Sequence, residues 1–332
     1  MKTILMQQPG GIDALKAADI PVPTITRPDE VLIKIESAGV NPIDTKLRAN
    51  GTYFPDNLPC ILGCDAAGRV IETGSAVTRF KAGDEVYYYF GGIGGEEQGN
   101  YAEYNVVPEA YVALKPESLN MAQAAAVPLA LITAWESLHD HLHMAKDETV
   151  LVQAGAGGVG HLAIQLAKII GCRVITTVSS ADKASFVTGL GADEVINYKE
   201  QDVSKCVMDL TDGRGVDAVL DCVGGKTFAR SFATLKPYGR IVSLIQYPQD
   251  IEWKLARLKN IQTSMELMLS PAFLGLEEKR LKQRTILETC ATYFDQGKLK
   301  VEISQELSLS EAAKAHKLIE AGGVVGKIVL NV

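Results

Sequence analysis

The chain's clearest chemistry-bearing spacing is Gly155-Ala156-Gly157-Gly158-Val159-Gly160, a G-x-G-x-x-G turn. It follows the apolar run Val150-Leu151-Val152 and precedes an amphipathic stretch with Val159, Leu162, Ala163, Leu166, Ile169 and Ile170 at helical spacing. Strand, glycine turn and helix in that order form the context in which the motif binds a dinucleotide. Gly155 lets the chain turn off the strand, Gly157 lets backbone approach a pyrophosphate, and Gly160 lets the helix pack close to the sheet. The helix N-terminus then offers amides and a positive dipole end to phosphate. The plainer reading is a glycine turn that only packs a helix on a sheet.

The next strand ends Thr177-Val178-Ser179-Ser180-Ala181-Asp182-Lys183. A site for NAD usually has Asp or Glu at this strand end, about 20 residues past the turn, to hold the ribose 2′-hydroxyl. Here hydroxyls stand at the strand end and a lysine follows. Ser179, Ser180 and Lys183 suit a 2′-phosphate, which a carboxylate would repel, so the pattern favours NADPH. Asp182 argues the other way. Ser180 as a helix cap and Lys183 as a solvated charge is the plainer alternative.

These residues need elements to hold them. The first ~120 residues carry short β-type runs separated by turn signals such as Pro28-Asp29 and Ala82-Gly83-Asp84, the pattern of a compact β-rich domain. The glycine-rich segment 91–100 reads as a mobile surface loop. A helical stretch begins near Met121. Strands at 150–154, 173–178, 194–198, 217–223, 240–245 and 261–267 then alternate with helices, which predicts a doubly wound parallel sheet. In such a sheet ligands bind at the C-terminal strand ends, so Thr133, Val223 and Leu244 are expected beside the nicotinamide. A long helix over 276–295 follows, and strand-like runs at 301–303 and 326–330 are expected to return to the first domain. The predicted division is 1–124, 125–272 and 273–332.

The 332 residues are 47% hydrophobic and carry a net charge of −7, from 33 basic and 40 acidic residues. That balance gives no reason to expect nucleic acid or an anionic membrane as a partner. No apolar run is long enough for a transmembrane helix, and the start lacks a secretory apolar region, which points to the cytoplasm. The six cysteines are scattered without a C-x-x-C, against a disulfide framework.

Laid end to end, the motifs make the chain resemble the medium-chain dehydrogenase/reductase superfamily, and within it the zinc-free quinone oxidoreductase branch, ζ-crystallin-like and alkenal-reductase-like. The matching residues are Gly39-Val40-Asn41-Pro42-Ile43-Asp44, Arg48, Gly51, Tyr53, Pro59, Gly63, Asp65-Ala66-Ala67-Gly68, Ala82-Gly83-Asp84-Glu85-Val86, Tyr101-Ala102-Glu103-Tyr104, Thr133-Ala134-Trp135, the 155–160 turn, Ala315-His316 and Gly326-Lys327-Ile328-Val329-Leu330. The resemblance implies a GroES-like substrate domain joined to a Rossmann domain with the active site in the cleft between them. It also implies NADPH-dependent hydride transfer to a small quinone or α,β-unsaturated carbonyl, and a homodimer paired through the last sheet strand. Family position adds Lys46 and Lys327 as phosphate contacts and Tyr198, with Lys183, on the 2′-phosphate. Lys327 alternatively pairs with Asp65.

In the zinc-dependent branch a Cys stands at the Asn41 position and a His at the Cys64 position, with a further Cys near 129–133. Here Asn41, Cys64 and a stretch without Cys or His stand there instead, so no metal is expected. Without a metal, charge on the acceptor oxygen must be met by hydrogen-bond donors. Tyr53 is assigned to that role and Asn41 to orienting substrate or nicotinamide. Asp44 is expected to fix the Asn-Pro turn. His139 and His143 are spaced to chelate a metal on one helix face, but read better as a helix end. His161 reads as exposed on its helix, and His316 as packing. A zinc alcohol dehydrogenase and a non-catalytic NADPH-binding scaffold are the alternative functions.

Overall fold

The computed structural model describes residues 1–332. The chain divides into two units, one of residues 1–129, 271–297 and 301–332, the other of residues 130–270 and 298–300.

The second unit is built on six parallel strands. Their spatial order is Glu194–Asn197, Arg173–Val178, Thr149–Val152, Val216–Asp221, Leu235–Ser243, Gln262–Met265. Helices Gly160–Ile170, Ala181–Gly189, Val203–Leu210 and Gly225–Thr234 connect them. A strand covered on both faces needs a continuous apolar run, which Val150-Leu151-Val152 supplies, all fully buried. One core joins Leu151, Ile175, Val219, Phe228, Phe232 and Ile241. The topology reverses between Thr149–Val152 and Val216–Asp221, the switch point at which such sheets bind ligands.

In the first unit a larger sheet runs Ile303–Ser308, Lys327–Asn331, Glu30–Val40, Asp65–Thr73, Glu85–Tyr89, Val112–Leu114, with Tyr104–Pro108 also on Glu30–Val40. The C-terminal strand lies antiparallel to Glu30–Val40 with Ile328 opposite Val40. That register brings Lys327 beside Asn41. A small sheet of Leu15–Asp19, Lys2–Met6 and Cys60–Ile61 completes the unit.

Three expectations are corrected. The helical stretch after Met121 is not continuous: it forms Met121–Ala125, Pro128–Trp135 and a π-type turn over Glu136–His141. Pro128 has no amide to continue a helix, so it starts a new one. His161 is fully buried, not exposed, with Nδ1 2.9 Å from the Gly157 carbonyl. The 91–100 segment is not a mobile surface loop, since Gly91, Gly92, Ile93, Gly94, Gly99 and Asn100 are buried.

Candidate functional site

The glycine turn leaves the Thr149–Val152 strand and enters the Gly160–Ile170 helix. Two glycines are required by close approach. A Cβ on Gly155 would strike the Thr176 hydroxyl, and one on Gly160 would strike the Ala154 carbonyl. Ala154 itself holds a left-handed backbone, φ 54°, which costs a non-glycine residue of order 1 kcal/mol or more. Thr177 stabilises it: its hydroxyl accepts the Ala154 amide at 3.0 Å and donates to Gln153 at 2.8 Å, while its carbonyl accepts the Gly155 amide at 3.0 Å. The His161 amide is taken by the Gly157 carbonyl at 3.0 Å. Before it, the amides of Gly158, Val159 and Gly160 have no intrahelical partner by position, the arrangement that cradles a phosphate.

At the end of the Arg173–Val178 strand, Ser179, Ser180 and Lys183 are half-buried. The Ser180 hydroxyl caps the following helix, accepting from the Lys183 amide at 3.4 Å. Tyr198 is exposed, and its amide donates to the Val178 carbonyl at 3.1 Å, so it stands beside the same strand end. The structure therefore gathers the four residues assigned to the 2′-phosphate.

Val223 and Leu244 lie just past their strands, not within them, because both strands end earlier than the apolar pattern suggests. Asp221, which the sequence reading passed over, holds both. Its carboxylate accepts from the amides of Val223 at 3.0 Å and Gly224 at 3.0 Å and from the Ser243 hydroxyl at 2.8 Å, and its carbonyl accepts the Leu244 amide at 3.0 Å. An Asp ending an apolar strand before Gly224-Gly225 was the available signal. Thr133 is buried in the Pro128–Trp135 helix.

In the first unit, Asn41, Asp44, Cys64, Asp65, Tyr101, His316 and Lys327 form a buried polar cluster. Asn41 caps the Pro42–Asn50 helix in a reciprocal box with Asp44, whose carboxylate accepts the Asn41 amide at 2.8 Å. Asp44 thus fixes the Asn-Pro turn. The Asn41 side chain donates to Asp65 at 2.9 Å and accepts from the Lys327 ammonium, which lies 3.8 Å from Asp65. Asp65 also accepts the Leu129 amide at 2.9 Å. Tyr101 donates to Asp44 at 2.9 Å, His316 Nε2 lies 3.2 Å from the Tyr101 oxygen, and the Cys64 thiol reaches Asp44 at 3.8 Å.

Burial dominates the electrostatics here. It pushes Asp44 up to about 7, against hydrogen bonds from Asn41 and Tyr101. It pushes Asp65 up and Lys327 down, and their mutual attraction opposes both shifts. The Cys64 thiol is pushed up by burial and by the neighbouring carboxylates. His316 is pushed down to about 4 by burial and by the Arg48 charge.

Two assigned residues lie inside the cluster. Asn41 is buried, and each end of its carboxamide makes a hydrogen bond there. Lys327 is 3% exposed, and its ammonium meets Asn41 and Asp65, the pairing expected as the alternative to a phosphate contact. Lys46 is exposed on the Pro42–Asn50 helix. Tyr53 is 54% exposed, with its ring 4.2 Å from that of Phe273. His316 packs edge-on against Tyr101. His141 pairs with Glu266 at 2.6 Å.

Residues 27–117 match the model of the alcohol dehydrogenase GroES-like domain, and residues 190–330 match that of a zinc-binding dehydrogenase. A quinone oxidoreductase of Pseudomonas aeruginosa is 34% identical, over 97% of this chain and 96% of its own length. The chain belongs to the medium-chain dehydrogenase/reductase superfamily, on its quinone oxidoreductase branch. Within the superfamily it is also similar to a zinc-type alcohol dehydrogenase-like protein of Staphylococcus epidermidis, 32% identical over 94% of this chain and 93% of that one. The structure of Escherichia coli quinone oxidoreductase complexed with NADPH superposes with a TM-score of 0.86 at 29% identity, covering 100% of this chain and 100% of that one. The medium-chain fold accounts for both units, a Rossmann-type parallel sheet and a GroES-like β-rich unit.

Proposed function

We propose that this oxidoreductase uses NADPH to reduce quinones or α,β-unsaturated carbonyls without zinc. The observation that carries the reading is the closed Asn41–Asp65–Lys327 arrangement. It stands where the zinc-dependent branch keeps its ligands. A catalytic zinc takes about three protein donors, with cysteine as thiolate. Here Asn41 is engaged at both ends, Cys64 is buried against the Asp44 carboxylate, and an ammonium is already in place. These residues do not fit a zinc.

A different set of residues fits a dinucleotide. Gly155, Gly157, Gly158, Val159 and Gly160 would hold the pyrophosphate. Ser179, Ser180, Lys183 and Tyr198 would hold the 2′-phosphate, and Thr133, Val223 and Leu244 would line the nicotinamide end. NADPH supplies the hydride when bound. The protein holds the reactants, which accounts for much of the acceleration. The Tyr53 hydroxyl donates to the acceptor oxygen as it gains charge, and exposed Lys46 supplies a cationic contact. The Asn41 cluster keeps the Pro42–Asn50 helix, and with it the segment carrying Tyr53, in place.

The test is NADPH oxidation by the purified protein against quinones, alkenals and alcohols. Turnover of quinones or alkenals supports the reading. Turnover of alcohols alone would make the protein a dehydrogenase of the zinc-type kind, and cofactor binding without turnover would make it a scaffold.

A further inference from the structure

Arg280, on the Glu277–Asp295 helix, makes a two-pronged ion pair with Glu97, Nη1 to Oε1 at 2.7 Å and Nη2 to Oε2 at 3.0 Å. Its guanidinium lies 3.9 Å from the centre of the Tyr111 ring and 5.4 Å from that of Phe90. The side chain is about nine-tenths buried, 11% exposed, so the pair is shielded and held in one orientation. An exposed ion pair would contribute little. This one has a planar fork, two aromatic faces and low exposure.

Glu97 belongs to the glycine-rich 91–100 segment, so the ion pair anchors that loop. The loop in turn bears on the residues flanking Tyr53. At Gly94 a Cβ would strike the Thr52 side chain, and at Gly95 it would meet the Phe54 ring at 3.3 Å. Backbone therefore lies directly against Thr52 and Phe54. On the other side, Phe273 places its ring 4.2 Å from that of Tyr53, and Phe273 lies four residues before the helix that carries Arg280.

We propose that Arg280 and Glu97 are positioning residues for Tyr53: they clamp the 91–100 loop against residues 52 and 54 and so fix where the Tyr53 hydroxyl meets an acceptor. The role in turnover rests on the proposed function; the clamp itself does not. The composition of the loop now has a cause. Its glycines serve close approach, and Glu97 is the charge by which the loop is fastened.

Two variants test this. Arg280→Lys keeps the charge but loses the fork and the flat stacking surface. Glu97→Gln is milder and guards against loss of folding in the first. Hydrogen exchange by mass spectrometry reads the clamp directly, without cofactor or substrate. Exchange is expected to rise in 91–98 and also in 51–55, while the strands of the second unit are unchanged. In steady-state kinetics, kcat/KM for the acceptor is expected to fall about tenfold, as for a displaced positioning group, with NADPH affinity within about twofold of the parent. Faster exchange confined to 91–98, or unchanged kcat/KM in variants whose 51–55 exchange has risen, would overturn the proposal. An unmodified protein that turns over no quinone or alkenal would refute the proposed function, and the exchange result would still judge the clamp.

Discussion

The side-chain nitrogen of Asn41 stands 2.9 Å from the Asp65 carboxylate, deep in the first unit, with the Lys327 ammonium closing on the other end of the same carboxamide. The contact joins the start of the Pro42–Asn50 helix to the Asp65–Thr73 strand, and Lys327 ties both to the C-terminal strand. One cation balances a buried carboxylate, so removing it leaves a charge with nowhere to go. Lys327→Met is expected to destabilise the protein by about 3–5 kcal/mol in chemical denaturation. Adding Asp65→Asn should recover part of the loss, because the uncompensated charge is gone. A Lys327→Met protein as stable as its parent would show that the ammonium is not a structural counter-ion.

His316 gives the stability a dependence on acid. Tyr101 has one proton and directs it at Asp44, so His316 Nε2 donates to the phenolic oxygen, and Nδ1 is left without a partner. Protonating Nδ1 would bury a cation beside Arg48, which with burial holds the folded pKa at about 4 against an ordinary 6.5. A histidine lowered in the folded state stabilises above its unfolded pKa and loses that contribution as pH falls through the folded one. Between pH 7 and pH 4 the parent should therefore lose about 3 kcal/mol more than His316→Gln. Parallel denaturation profiles for the two proteins would contradict this.

Cofactor choice is expected to rest on Lys183. Lys183→Ala should weaken NADPH binding about ten- to a hundredfold, the value of one charge-assisted contact to phosphate, and leave NADH nearly unchanged. Titration with both nucleotides measures it. Equal loss for both would mean that Lys183 supports the Ser180-capped helix and does not read the 2′-phosphate.

Much of this was legible in the sequence for physical reasons. The 155–160 turn is specified by local sterics, and buried parallel strands require apolar runs, so periodicity reveals them. Strand ends were less legible: the apolar run continues to Val223, but the ladder stops at Asp221 because that carboxylate turns the chain. What could not be read were long-range partners. Asn41 and Lys327 are 286 residues apart, and nothing in either neighbourhood announces the other. The 91–100 segment has the composition of a surface loop, but it packs on distant parts of the chain, with Glu97 paired to Arg280, 183 residues beyond it.

The Gln262–Met265 strand ends the sheet, with Met265 exposed. Unpaired edges are usually covered, and a two-fold pairing of this edge would make a homodimer. Sedimentation at micromolar concentration is expected to show the dimer, and Met265→Asp to shift it toward monomer. A parent that sediments as a monomer would contradict the assignment.

The central claim is NADPH-dependent reduction of a quinone or enone with no metal. Its most direct test is to measure zinc content and NADPH:acceptor turnover on one preparation before and after exhaustive EDTA treatment. The prediction is substoichiometric zinc at the outset and full turnover after chelation. Stoichiometric zinc, with activity lost to EDTA and restored by zinc, would contradict it.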